Sequence, residues 1–170
     1  MMNTPNRRIL SIAAFVLVLD QLTKKLVNVF LQPEEERVVI DGFFKFVHWS
    51  NTGAAWSLFT GKNGLLAIVA LLAMYILFRS RHHFDAHTLT GQIALGMIFG
   101  GILGNLTDRL FSGHVTDFLR FHLQRRGGLD IGFPAFNVAD SAICIGVALI
   151  FILSWKNESA TAGAAQPPAR

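Results

Sequence analysis

Charge is scarce in this chain of 170 residues: Asp, Glu, Lys and Arg together make up 15%, against about 25% in soluble globular domains. Cysteine occurs once, as Cys144, which excludes a disulfide scaffold. Tyrosine also occurs once while phenylalanine occurs 15 times, so the aromatic surface is mostly without a polar handle. Nor does the net charge of +4 gather into a continuous basic stripe, and nucleic acid is not an expected partner. Metal-ligand spacing such as His-Glu-x-x-His is missing. His114, His122, Asp117 and Asp140 form only a loose set of ligand types, and no metal or organic cofactor is expected. No Gly-rich phosphate loop follows a strand, and Ser57 lacks the context of a nucleophile elbow.

What the chain has is apolar surface. Apolar residues make up 52%, and the 15 glycines bring the share to roughly 60%, where about 45–50% is usual. So short and so apolar a chain has too little polar surface to cover a water-soluble globule. The expectation is a mainly α, polytopic membrane protein: a single domain over 1–156 and a disordered tail over 157–170. Four apolar segments can be read, Ile9–Leu31, Gly64–Phe78, Thr88–Thr107 and Ser141–Trp155. The third has the roughly 20 uncharged residues that a bilayer crossing needs. The first is interrupted by Asp20, Lys24 and Lys25; no small-x-small cleavage site follows it, so it is read as a retained helix. Four crossings put both termini on one side. Basic residues lie at both faces, so charge alone does not orient the chain.

The connections read as β-modules at one membrane face. Asp41-Gly42 between the apolar runs Val38–Ile40 and Phe43–Trp49 is a strong hairpin signal. Phe43, Phe44, Phe46, Trp49, Trp56 and Phe59 make that module aromatic, as suits a bilayer interface. Val115, Asp117, Leu119 and Phe121 alternate with Thr116, Phe118, Arg120 and His122, the period of a strand. Gly127-Gly128 is then expected to turn the chain.

Polar residues at membrane depth are functional candidates by default. Asp20 and Lys24 share a helix face at i, i+4. Gly96, Gly100, Gly104 and Asp108 repeat every four residues, a line of close helix contact ending on a carboxylate. Asn105 lies one turn below Asp108, and Asn137 and Asp140 open the last segment. Taken singly, each has a plain structural reading. Asp20 with Lys24 is an intramembrane ion pair, Asp108 with Arg109 an interface marker, Asn137 or Asp140 a helix N-cap, Asp117 a wet strand residue and Cys144 an inert thiol. Taken together, Asp117 and Asp140 bring two carboxylates from a strand and a helix start to one water-accessible place, an arrangement suited to acid–base work.

Five stretches are then recognisable: Asp20-Gln21-Leu22-Thr23-Lys24; Asn51-Thr52-Gly53-Ala54-Ala55-Trp56-Ser57; Gly100-Gly101-Ile102-Leu103-Gly104-Asn105-Leu106-Thr107-Asp108-Arg109; Gly113-His114-Val115-Thr116-Asp117-Phe118; and Phe133-Pro134-Ala135-Phe136-Asn137-Val138-Ala139-Asp140. In content and order they resemble the bacterial lipoprotein signal peptidases, signal peptidase II. Trp56 stands where that family more usually has Phe, and the stretch 119–131 looks longer than typical. The resemblance implies an aspartyl endopeptidase of the bacterial cytoplasmic membrane. Such an enzyme removes signal peptides from diacylglyceryl-modified prolipoproteins and cuts just before the lipidated Cys. It implies Asp117 and Asp140 as the catalytic pair, with Asn51, Gly53, Asn105, Asp108, Arg109 and Asn137 around the site and Asp20 and Lys24 from the first helix. It also implies cytoplasmic termini and a site toward the periplasmic or outer face. Lipid-modified prolipoprotein and membrane lipids are the expected partners, and a monomer is expected. The competing reading is a small ion- or proton-coupled transporter built on intramembrane carboxylates. It predicts inverted repeats or broken helices, and neither is found.

Overall fold

The computed structural model describes residues 4–54, 58–124 and 130–164. The chain runs α1 (Thr4–Phe30), β1 (Glu36–Ile40), β2 (Phe44–Asn51), α2 (Asn63–Ser80), a 3₁₀ turn (Arg81–Phe84), α3 (Leu89–Phe111), β3 (Val115–Gln124), β4 (Asp130–Gly132) and α4 (Val138–Ala164). It is mainly helical, with one small antiparallel sheet.

On α1 the buried residues are Ile9, Ala13, Val16, Asp20, Lys24 and Val27, a stripe at three- and four-residue spacing that faces the other helices. Asp20 and Lys24 lie on that stripe, so the two charges point inward. Outward, Phe15 is 66% exposed, and Phe151 and Trp155 of α4 are 72% and 77% exposed. Large apolar side chains in this position are the lipid-facing surface of a membrane protein. By length and composition α2, α3 and α4 can each cross a bilayer. α1 carries Asp20, Lys24 and Lys25 in its second half.

α3 is the axis of the bundle, packed against both α1 and α4. Its glycines make that possible. A Cβ at Gly100 would lie 2.6 Å from the Ala13 carbonyl oxygen, and one at Gly101 2.5 Å from that of Ala139. At Gly104 a Cβ would meet an Asp20 carboxylate oxygen at 2.5 Å. The four-residue glycine line is thus a contact line, with α1 against Gly96, Gly100 and Gly104. α2 stands apart, with Ala67 its one buried residue among those described.

The expected β-modules form a single sheet of order β1-β2-β3-β4. Asp41 and Gly42 turn β1 into β2 as expected, with Gly42 at φ 69°. β2 then pairs with β3, placing Trp49 opposite Asp117 and Asn51 opposite Val115. This joins two segments that are distant in sequence, and their register is invisible to local patterning. The Phe121 ring meets Phe43 edge-on at 5.5 Å and Phe44 at a tilt at 4.9 Å between centroids. Trp56, the Gly127-Gly128 turn and the end of the tail fall outside the described residues. α4 continues to Ala164, into the segment expected as a tail from Asn157.

The glycine contacts give a direct test. Gly100→Ala should lower stability by about 1–3 kcal/mol, because its Cβ meets backbone that cannot step aside. Gly64→Ala, with nothing within 4 Å of its Cβ, should be neutral or slightly stabilising. Thermal unfolding in detergent separates the two, and equal melting temperatures would remove close packing as the reason for Gly100.

Candidate active site

The end of α3, the start of α4 and the paired strands β2 and β3 meet around a cavity of about 850 Å³, with Asn51, Asn105, Arg109, Asp117 and Asp140 in its wall. Asp117 arrives on β3. Asn51, opposite Val115, is its diagonal neighbour on the same face of the sheet, and the Asn51 amide donates to Asp117 Oδ2 at 2.9 Å. The other carboxylate oxygen accepts from Asn137 Nδ2 at 2.8 Å.

Asn137 is the residue that joins the two acids. It caps α4: its Oδ1 accepts from the Asp140 backbone N–H at 2.9 Å, and Asp140 Oδ2 accepts from the Asn137 backbone N–H at 3.2 Å. This is a capping box with Asn and Asp in its two roles. The structural reading of Asn137 as an N-cap is therefore right, and the same side chain also holds Asp117. The remaining Asp140 oxygen accepts from Asn105 Nδ2 at 2.7 Å.

Below the cavity lies a buried charge network. Lys24 is 3% exposed and Asp20 is fully buried. The Lys24 ammonium pairs with Asp20 Oδ2 at 2.8 Å and Asp108 Oδ2 at 2.7 Å, and donates to Asn105 Oδ1 at 3.0 Å. Asp20 Oδ1 accepts from the Ala139 backbone N–H at 2.9 Å, tying α1 to the first turn of α4. Arg109 spans the cavity edge, donating to the carbonyls of Gly53 (3.0 Å) and Asn105 (3.2 Å). Gly53 N–H in turn donates to Asn51 Oδ1 at 2.9 Å. All ten residues singled out in the sequence thus stand in one connected network.

Two residues were not singled out, and a third was misplaced. Gln21 donates to Asp108 Oδ1 at 2.8 Å; its place beside Asp20 was the available signal. Asn63, at the start of α2, donates to the Arg109 carbonyl at 2.8 Å. Cys144, read as a buried thiol, is exposed and lines the cavity, because it follows Asp140 by one helical turn and shares its face. His114 and His122 do not join the acids in a ligand set: among the described residues no three His, Cys, Asp or Glu side chains gather closely enough to hold a metal.

Burial pushes the Asp117 carboxyl up to about 7, and repulsion from Asp140 adds to the rise; the Asn51 and Asn137 hydrogen bonds and the Lys24 charge oppose it. Two acids that cannot both ionise easily, in a cavity reachable by water, can hold one proton between them and pass another to or from a bound water.

A helical membrane bundle with buried acids beside a sheet at one end defines a membrane enzyme class, and comparison with known proteins gives the family. The model of Signal peptidase (SPase) II matches residues 12–156. A lipoprotein signal peptidase of Nostoc punctiforme is 38% identical over 157 residues, covering 92% of this chain and 95% of that protein. One of Symbiobacterium thermophilum is 38% identical over 142 residues, covering 83% and 90%. A solved bacterial membrane enzyme structure at 32% identity superposes with a TM-score of 0.77, covering 95% of this chain and 94% of that one. The chain belongs to the signal peptidase II family and is a membrane-embedded peptidase by that membership.

Two outcomes test the network. Asp20→Asn leaves Lys24 short of an ionised partner at membrane depth, and breaking such a pair should cost about 3–5 kcal/mol. The melting temperature should fall together with activity; a fully stable, inactive variant would point to a direct part in the reaction. For Asp117, the unfolded chain ionises near pH 4 while the folded chain keeps the proton to about 7. Folding therefore loses stability from this group as pH rises through that window. The melting temperature of Asp117→Asn relative to the unaltered protein should rise between pH 4.5 and 7.5 (about the two ends of that window). A difference flat with pH would mean an ordinary carboxyl.

Proposed function

We propose that this protein is an aspartyl endopeptidase that removes signal peptides from diacylglyceryl-modified prolipoproteins, cutting just before the lipidated Cys, with Asp117 and Asp140 as the catalytic pair. The observation that carries the reading is the pair itself: two carboxylates on the wall of one cavity, both held by Asn137. The raised pKa of Asp117 supports a proton shared by the two at neutral pH. The ionised member takes a proton from water as its oxygen bonds to the scissile carbonyl carbon. The protonated member supports the developing oxyanion. The carbon–nitrogen bond then breaks, and a proton passes to the leaving amine of the lipidated Cys. Asn51, Asn105 and Asn137 hold the carboxylates in place, and Arg109 and Gly53 tie the sheet to α3 beside them.

The membrane placement proposed with it rests on the family resemblance and on the three helices long and apolar enough to cross a bilayer. Four helices cross the bacterial inner membrane, with the Asp20 and Lys24 charges of α1 neutralised inside the bundle. Both termini lie in the cytoplasm, and the cavity and sheet lie toward the periplasmic or outer face. A diacylglyceryl Cys is held at fixed depth by its chains, since each buried CH₂ contributes about 0.8 kcal/mol. The signal-peptide helix fixes the other side of the scissile bond, so anchoring brings that bond to the carboxylates.

Asp117→Asn and Asp140→Asn should each abolish cleavage of a lipidated prolipoprotein and leave a folded protein, one loss costing nearly as much as both. The same precursor without lipid should be cleaved far more slowly in the same detergent, and activity should survive EDTA. A gel shift of the precursor reads all three. Turnover near normal in either variant would remove that residue from the reaction, and equal rates for the two precursors would remove depth anchoring.

A further inference from the structure

A second cavity, of about 400 Å³, lies at the other end of the molecule. α2 starts beside the active cavity, where Asn63 bonds to Arg109. Its 18 residues carry the chain about 27 Å away at 1.5 Å per residue. There the end of α2, the 3₁₀ turn and the first turn of α1 enclose a space whose wall includes Arg79, Arg81, His82 and His87, and no acidic residue. Asp85 lies beside this wall, its Oδ1 3.8 Å from His87 Nε2.

The two arginines are differently prepared. Arg81 is held in place: one guanidinium nitrogen donates to the Phe78 carbonyl at 2.8 Å, and the guanidinium lies over the Phe78 ring, 4.4 Å from its centre. A guanidinium has five N–H donors, so most of those on Arg81 stay open. Arg79 makes no hydrogen bond or ion pair among the described residues. Directly beneath them, Leu72, Tyr75, Ile76 and Phe78 are exposed on α2, a helix that can cross a bilayer and so gives this face to lipid.

A concave cluster of cations at the membrane boundary, above an apolar helix face, fits a molecule with a phosphate at one end and acyl chains at the other. We propose that this cavity binds the phosphodiester headgroup of an anionic phospholipid, with Arg79 and Arg81 on the phosphate and the acyl chains along α2. Guanidinium groups suit phosphate because their paired N–H donors match its oxygens. A free phosphate shares the headgroup chemistry and lacks the acyl contact, so the two ligands separate experimentally. The site is remote from the acids and does not depend on the proposed reaction.

The test uses the full-length protein, delipidated in a neutral detergent. Phosphatidylglycerol, phosphatidylcholine or inorganic phosphate is added, and thermal unfolding and native mass spectrometry are read. Phosphatidylglycerol at about ten times its Kd should raise the melting temperature by about 3–6 °C and give a one-lipid adduct. Phosphatidylcholine and phosphate should not. Arg79→Gln, at a side chain without a partner, should melt like the unaltered protein when lipid-free and should lose most of the shift. Arg79→Gln with Arg81→Gln should lose it entirely. Arg7→Gln with Arg8→Gln, at the same face but outside the cavity wall, should keep it. The proposal falls if both lipids stabilise equally, if the Arg79 variants keep the shift, or if the Arg7 and Arg8 variant loses it equally, which would make the effect one of general surface charge. Phosphate as effective as phosphatidylglycerol would mean an anion site and not a lipid site.

Discussion

One ammonium group organises this molecule. Lys24 sits among three helices, and a lone cation there would be too costly to bury. Asp20 and Asp108 make its burial tolerable, and their spacing dictates how closely α1 and α3 approach. That approach in turn requires Gly104, whose missing side chain leaves room for the Asp20 carboxylate. Lys24 also determines which way Asn105 faces. With the amide oxygen turned to the ammonium, the amide nitrogen is left to donate to Asp140. The charge in the bundle and the acid at the cavity are therefore one arrangement, and the sheet completes it by supplying Asp117.

Much of this was legible in the chain. α2 and α3 fall within a few residues of the apolar runs, because a bilayer demands long uncharged stretches and little else produces them. The hairpin at Asp41-Gly42 and the strand from Val115 follow from local rules that act over a handful of residues. The inward direction of Asp20 and Lys24 follows from helical spacing, since both fall on the apolar stripe begun by Ile9, Ala13 and Val16.

The rest was hidden because it depends on contacts between distant segments. Asn51 and Asp117 lie 66 residues apart and meet only through the register of β2 on β3. The two β-modules become one sheet for the same reason. Gln21 looks like an ordinary neighbour of Asp20 until α3 is beside it. Cys144 sits in an apolar run, and apolar runs suggest burial; whether one helical face opens on a cavity is decided by what the other elements leave uncovered. In a membrane protein apolar character says little about inside and outside, since lipid and core are equally oily.

The double use of Asn137 has a consequence for assembly. The side chain that starts α4 also grips the strand acid, so the first turn of this helix and the paired acids form or come apart together. A newly inserted chain whose last helix has crossed the bilayer with a frayed start holds Asp140 but not its alignment with Asp117. If the pair acts as proposed, hydrolytic competence waits until the final segment is wound and docked on the sheet. A half-built copy would then be a harmless one, with no loose protease in the membrane during synthesis.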